Sequence, residues 1–188
     1  MQVTDVNRWR WIPNALTFLR VLLIIPFAVS LYDEEYRSAL LVFLIAAASD
    51  GFDGYLARHF DWKSRLGAIA DPLADKALLI TSYLMLTLTG VLPLWLFLLV
   101  IGRDLVIVSG GLAYHYFIGR FDMQPSMLGK LNTLVQILVV LAIVVYLAGY
   151  PMQPWVIPGG IWLVAATALA SGLHYILVWT RRAWLATH

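Results

Sequence analysis

Cysteine is absent from all 188 residues, which excludes a disulfide framework and any thiolate metal site. Charge is also scarce. Only 13% of the residues are Asp, Glu, Lys or Arg, against about 25% in a soluble domain. Hydrophobic residues make up 61%, and the mean hydropathy is +0.79. Together these exclude an ordinary soluble globular domain. The net charge of +2 is small, and nothing in its distribution suggests a nucleic-acid surface. Internal repeats, low-complexity tracts and linkers are missing, so residues 1–188 read as one domain.

What the chain has instead is six apolar runs, each near the 20 or so residues that a membrane span needs. They cover residues 15–32, 38–57, 67–89, 93–117, 128–148 and 155–179. The first run is interrupted by Asn14, Thr17 and Arg20 and begins at Pro13, so it reads as a retained span and not as a signal peptide. Residues 1–12 are expected to form a short interfacial helix, with Trp9 and Trp11 at headgroup level. The connections alternate in charge. Arg8 and Arg10, then Arg58, Lys63 and Arg65, then Arg120 and Lys130, then Arg181 and Arg182 fall on one side. By the positive-inside rule, that side is the cytoplasm and holds both termini. The expected fold is an all-α integral membrane protein of the inner, cytoplasmic membrane: a six-transmembrane-helix bundle with a polar cavity open to the cytoplasmic side. Trp62, Trp155, Trp179 and Trp184 sit near span ends, as an aromatic belt does.

One stretch stands out, residues 49–76, SDGFDGYLARHFDWKSRLGAIADPLADK. It carries Asp50, Asp53, Asp71 and Asp75 at the cytoplasmic ends of two spans. A carboxylate at the bilayer centre costs roughly 2.5–3.5 kcal/mol, so such groups face a cavity or a partner. On helices, Asp50 and Asp53 share one face, and so do Asp71 and Asp75. Oxygen ligands in this number suit hard divalent cations, and paired cations would neutralise a diphosphate. Gly54, Ala57 and Gly67 remove side-chain bulk where a ligand approaches the backbone. Arg58 offers a planar fork for a phosphate, and Asp75 is a candidate general base. The plainer alternative is that the aspartates cap helices or pair with Arg58, Lys63 and Arg65 at the membrane surface.

The pattern D-x2-D-G-x2-A-R-x8-G-x3-D-x3-D, with every named position matched, resembles the signature of the CDP-alcohol phosphatidyltransferases. The resemblance runs through all six spans. It implies a six-helix membrane enzyme, commonly a homodimer, that requires Mg2+ or Mn2+ and transfers a phosphatidyl group from CDP-diacylglycerol to an alcohol, releasing CMP. Carried over by motif position, Asp50, Asp53 and Asp71 are implied metal ligands, and Asp75 is both ligand and base. Gly54, Ala57, Arg58 and Gly67 are implied contacts of the CDP moiety.

Three further polar groupings bear on the substrates. Asn14, Thr17 and Arg20 fall on one face of the first span, and Lys130, Thr133 and Gln136 on one face of the fifth, with Asn132 beside them. Arg103 lies within the fourth span, and its neighbour Asp104 is not expected to face it. Arg103 therefore needs another partner, such as a bound phosphate or an aspartate from another helix. Asn14 and Thr17 are expected at CDP-diacylglycerol, and Arg20, Arg103 and Lys130 at the acceptor. Interhelical hydrogen bonding is the alternative for Asn14, Thr17 and Gln136.

Within the family, Pro13-Asn14-x-Leu16-Thr17-x2-Arg20 resembles both the phosphatidylglycerophosphate synthases and the CMP-forming cardiolipin synthases. Arg103-Asp104, Gln124-Pro125-Ser126 and Gly129-Lys130-Leu131-Asn132-Thr133-x2-Gln136 are more similar to the latter. The favoured acceptor is phosphatidylglycerol, with glycerol 3-phosphate second. Small residues recur four apart on the sixth span, as Ala166 with Ala170 and Ala168 with Gly172, which suits close helix packing. His59, His115 and His174 lack metal-ligand spacing. Basic loops would attract anionic membrane lipids. A rival class is a cation transporter, since intramembrane carboxylates also mark ion pathways; the clustering toward one face and the lack of a matching half count against it.

Overall fold

The structure, a computed structural model, describes residues 12–59, 65–117 and 126–187. These form six helices: α1 Ile12–Tyr32, α2 Tyr36–His59, α3 Arg65–Leu88, α4 Leu94–Phe117, α5 Met127–Leu147 and α6 Val156–Thr187. Each coincides with one of the expected apolar runs. The interfacial helix expected over residues 1–12 lies, apart from Ile12, outside the described residues. The shortest helices have 21 residues, about 32 Å at 1.5 Å per residue, enough to cross a hydrocarbon layer of about 30 Å. Four helices, α1, α4, α5 and α6, are long and apolar enough to do so. The other two, α2 and α3, are 24 residues each and carry the aspartates.

The chain divides into two compact units, Met1–Thr89 with Val144–Tyr150, and Gly90–Ile143 with Pro151–His188. In the first, α1 packs on both α2 and α3. Pro13 stands in the first turn of α1, where its missing N–H costs nothing. The buried stripe of α1 is Thr17, Arg20, Phe27 and Leu31, residues that a 3.6-residue period aligns. Those of α2 and α3 have the same layout, with Ala39, Phe43 and Ala46 leading to Ser49, and Ala74, Leu78, Leu79, Tyr83 and Leu86 running the other way. Phe27 and Phe43 meet with ring centroids 5.7 Å apart. Large apolar side chains such as Phe18, Ile25, Leu41 and Ile45 point outward, the reverse of a soluble helix. Apart from Ser82 of α3, whose buried hydroxyl donates to Leu78 O of its own helix, each stripe is thus apolar over most of its length and polar at one end, and that end builds the site.

In the second unit α4 packs on α6. Gly110 admits the Trp179 indole, which a Cβ would meet at 3.1 Å, and Tyr114 lies 5.3 Å from the same ring. Gly160 of α6 seats Val139 of α5 in the same manner, at 3.1 Å. Of the small-residue pairs on α6, Ala168 is buried and Gly172 lies against Arg103, while Ala166 and Ala170 face outward. The end of α5, which belongs to the first unit, is a Schellman cap. Tyr150 N–H donates to Val145 O at 3.3 Å and Gly149 N–H to Tyr146 O at 3.1 Å, with Gly149 at φ +93°, a backbone that costs other residues about 1 kcal/mol or more.

Candidate active site

The polar end of α1 is where the aspartate stretch closes up. Thr17 and Arg20, one turn apart, are both buried, Arg20 to 1% exposure. A guanidinium so deep in an apolar setting persists only with carboxylate partners, and two of those of Arg20 are among the described residues. Its Nη1 donates to Asp75 Oδ1 at 2.6 Å, and its Nη2 lies 2.7 Å from Asp50 Oδ1. The Thr17 hydroxyl donates to Asp71 Oδ1. One face of α1 therefore gathers a carboxylate from α2 and two from α3. Helical spacing explains the rest. Asp71 and Asp75 are four apart on α3, and Asp50 follows Ser49, whose hydroxyl turns back to Ile45 O at 2.8 Å.

The three carboxylates are not enclosed. The Asp50 and Asp75 side chains are 51% and 46% exposed, so each presents its far side away from α1. The donor set is all oxygen, which suits a hard divalent cation. Among the described residues, no three acidic or histidine side chains stand close enough to share one ion. The side chains of Asn14, Asp53, Gly54, Ala57, Arg58 and Gly67 lie outside those described; the backbone places Asn14 in the first turn of α1, the next four in the last turns of α2, and Gly67 in the first turn of α3.

In the second unit Arg103 is buried, and here two expectations need correction. Arg103 does pair with its neighbour: Nη1 donates to Asp104 Oδ1 at 2.6 Å. Facing rules on a helix describe Cβ directions, and the long arginine side chain curls past them. Its Nε and Nη2 also donate to Ser171 Oγ of α6, at 3.2 and 2.6 Å, and the guanidinium lies 5.9 Å from the Tyr175 ring centre. Tyr175 Oη in turn accepts from Ser126 N–H at 3.0 Å. The second correction concerns α5, where Lys130 is exposed and Thr133 bonds its own helix at Gly129 O, 3.2 Å away. The inward polar pair is Asn132 and Gln136, both at 0% exposure. Asn132 Oδ1 accepts from Thr167 at 3.0 Å. Among the described residues, Asn132 Nδ2 and both polar atoms of the Gln136 side chain have no hydrogen-bond partner. The sequence reading missed Thr167, Ser171 and Tyr175; their spacing of four residues along α6 was the available signal.

Comparison with known proteins places this sequence in a family. Residues 10–179 match the CDP-alcohol phosphatidyltransferase family, a match that runs through both units. A CDP-diacylglycerol–glycerol-3-phosphate 3-phosphatidyltransferase of Pseudomonas fluorescens is 37% identical, over 92% of this chain and 90% of that protein. The CMP-forming cardiolipin synthase of Rattus norvegicus is 31% identical over 72% of this chain and 50% of its own length. A cardiolipin synthase (CMP-forming)/mitochondrial hydrolase fusion protein of Schizosaccharomyces pombe is 33% identical over 88% of this chain and 30% of its own. This chain thus spans half or less of the last two. With a match over nearly all six helices, and three of the motif aspartates, Asp50, Asp71 and Asp75, drawn together by α1, the chain belongs to the CDP-alcohol phosphatidyltransferase family.

Proposed function

We propose that the protein is a six-span phospholipid-synthesising phosphatidyltransferase of the cytoplasmic membrane, working as a homodimer with both termini and its active site on the cytoplasmic side. Its reaction is transfer of a phosphatidyl group from CDP-diacylglycerol to the hydroxyl of phosphatidylglycerol, giving cardiolipin and CMP. The observation that carries this reading is the gathering of Asp50, Asp71 and Asp75, from two helices, on one face of a third.

In this reading Asp50, Asp53, Asp71 and Asp75 hold two divalent cations, Mg2+ or Mn2+. Bound there, the ions supply charge neutralisation of the diphosphate. Gly54, Ala57 and Gly67 leave room for the cytidine diphosphate against the backbone, Arg58 pairs with a phosphate, and Asn14 hydrogen-bonds the same ligand. The outward oxygen of Asp75 takes the proton of the acceptor hydroxyl. The acceptor's own hydroxyl oxygen then bonds to the phosphorus next to diacylglycerol, and the bond from this phosphorus to the CMP oxygen breaks, CMP leaving. Arg103 and Lys130 are the basic residues proposed to meet the acceptor phosphate.

The preference for phosphatidylglycerol rests on the segments around Arg103 and 129–136 and on the relatives named cardiolipin synthases. One observation favours glycerol 3-phosphate as a second reading: the Pseudomonas fluorescens relative, named for that acceptor, matches over 90% of its length. The test offers purified protein in nanodiscs CDP-diacylglycerol with both acceptors in competition, and identifies products by mass spectrometry. Cardiolipin and CMP are expected, lost on chelation and restored by Mg2+ or Mn2+. Phosphatidylglycerophosphate as the product would establish the second reading. Absence of CMP with either acceptor would remove the enzyme reading, and cation flux in liposomes would then favour a transporter.

A further inference from the structure

We propose that Arg20 and Thr17 are positioning residues for the aspartate cluster: from behind, they fix which oxygen of Asp50 and Asp71 is offered to a cation and which oxygen of Asp75 faces the open site. This inference rests on the proposed cation cage and replaces the acceptor role expected for Arg20 and the CDP-diacylglycerol role expected for Thr17.

The geometry is one-sided. Each of the three carboxylates gives its Oδ1 to α1. The guanidinium that receives two of them is 1% exposed, whereas the Asp50 and Asp75 side chains are about half exposed. Arg20 is therefore on the protein side of the carboxylates, and their open side is opposite. To reach an acceptor's phosphate it would have to abandon two charge-assisted hydrogen bonds. The terminal torsion of an aspartate is broad and roughly two-fold, so an unheld carboxylate exchanges its oxygens freely. Holding Oδ1 on each of three carboxylates removes that freedom and leaves Oδ2 as the presented atom. Partners of this kind orient ligating carboxylates and typically change metal affinity about 10–100-fold when removed.

Arg20 also offsets one of the four negative charges of the motif, and the rival role is that of a bare counter-charge that competes with cations for the same oxygens. The two roles predict opposite signs. Removing a bare counter-charge leaves the cluster more negative and tightens cation binding, whereas removing a positioning residue loosens it. Thr17 carries no charge, so its removal reports orientation alone.

The experiment measures Mn2+ binding by electron paramagnetic resonance, without substrate, on full-length protein in nanodiscs. The metal-free melting temperature is recorded for each variant as a check on folding. Thr17→Val is expected to weaken Mn2+ binding about tenfold, with Thr17→Ser restoring it. Arg20→Met is expected to weaken it about 10–100-fold, with Arg20→Lys in between. In CMP release, the Mn2+ concentration for half-maximal rate should rise by the same factors, with a smaller change at saturating Mn2+. Wild-type affinity in Thr17→Val, or tighter binding in folded Arg20→Met, overturns the positioning role while leaving the cage intact. Should Arg20→Met fail to fold, the Thr17 pair decides alone. Wild-type protein that binds no Mn2+ would instead remove the cage itself, and this inference with it.

Discussion

Asp75 combines a fixed and an open side. Its Oδ1 is held by Arg20 at 2.6 Å while nearly half of the side chain remains exposed, the arrangement a general base needs if its second oxygen is to meet a hydroxyl. Asp75→Asn keeps the size and an oxygen for Arg20, so the fold and CDP-diacylglycerol binding should persist. CMP release should fall by about 10²–10⁴-fold, the usual contribution of a positioned base; assays of nucleotide-lipid binding and turnover on the same preparation check both halves. Single residues were unevenly legible beforehand. The aspartates were plain from type and spacing, since four carboxylates in apolar sequence need a shared purpose. The partners of Arg103 were not, because a flexible side chain reaches Asp104 and Ser171 in ways that Cβ directions do not encode.

At the level of helices, the apolar runs located all six of those described, with most ends displaced by three residues or fewer and that of α6 by eight. Which face of a helix turns inward was harder. Residues at 130, 133 and 136 look aligned by threes, yet each step of three lags a 3.6-residue turn by roughly 60°. Residues 132 and 136 differ by only about 40°, and these are the pair that is buried. On α5, Gln136 is buried, as are Val135, Val139 and Val140, and both its polar atoms are unmatched among the described residues. An orphaned buried polar group costs about 1–3 kcal/mol, so Gln136→Leu, of similar volume, should stabilise the ligand-free protein by about that amount. The check is the melting temperature in detergent, which should rise; a fall would mean that Gln136 has a stabilising partner in solution.

For the whole molecule, the first question is which way it lies in the membrane. The absence of cysteine gives labelling no background. Lys130 and Tyr150 are exposed and lie at opposite ends of α5. With a cytoplasmic active site, Tyr150→Cys should react with a membrane-impermeant maleimide in intact cells, and Lys130→Cys only after permeabilisation; the reverse pattern would invert the assignment. By itself the sequence determined the membrane character, the approximate positions of the six described helices and the aspartate motif, because these depend on composition and on spacing along one chain. Only the tertiary structure decided that α1 supplies the partners. Thr17 and Arg20 lie 54 and 55 residues from the aspartates they hold on α3. Helical periodicity fixes what shares a face within one element, but which faces meet is settled by packing between elements, where a buried arginine must find carboxylates and carboxylates a counter-charge.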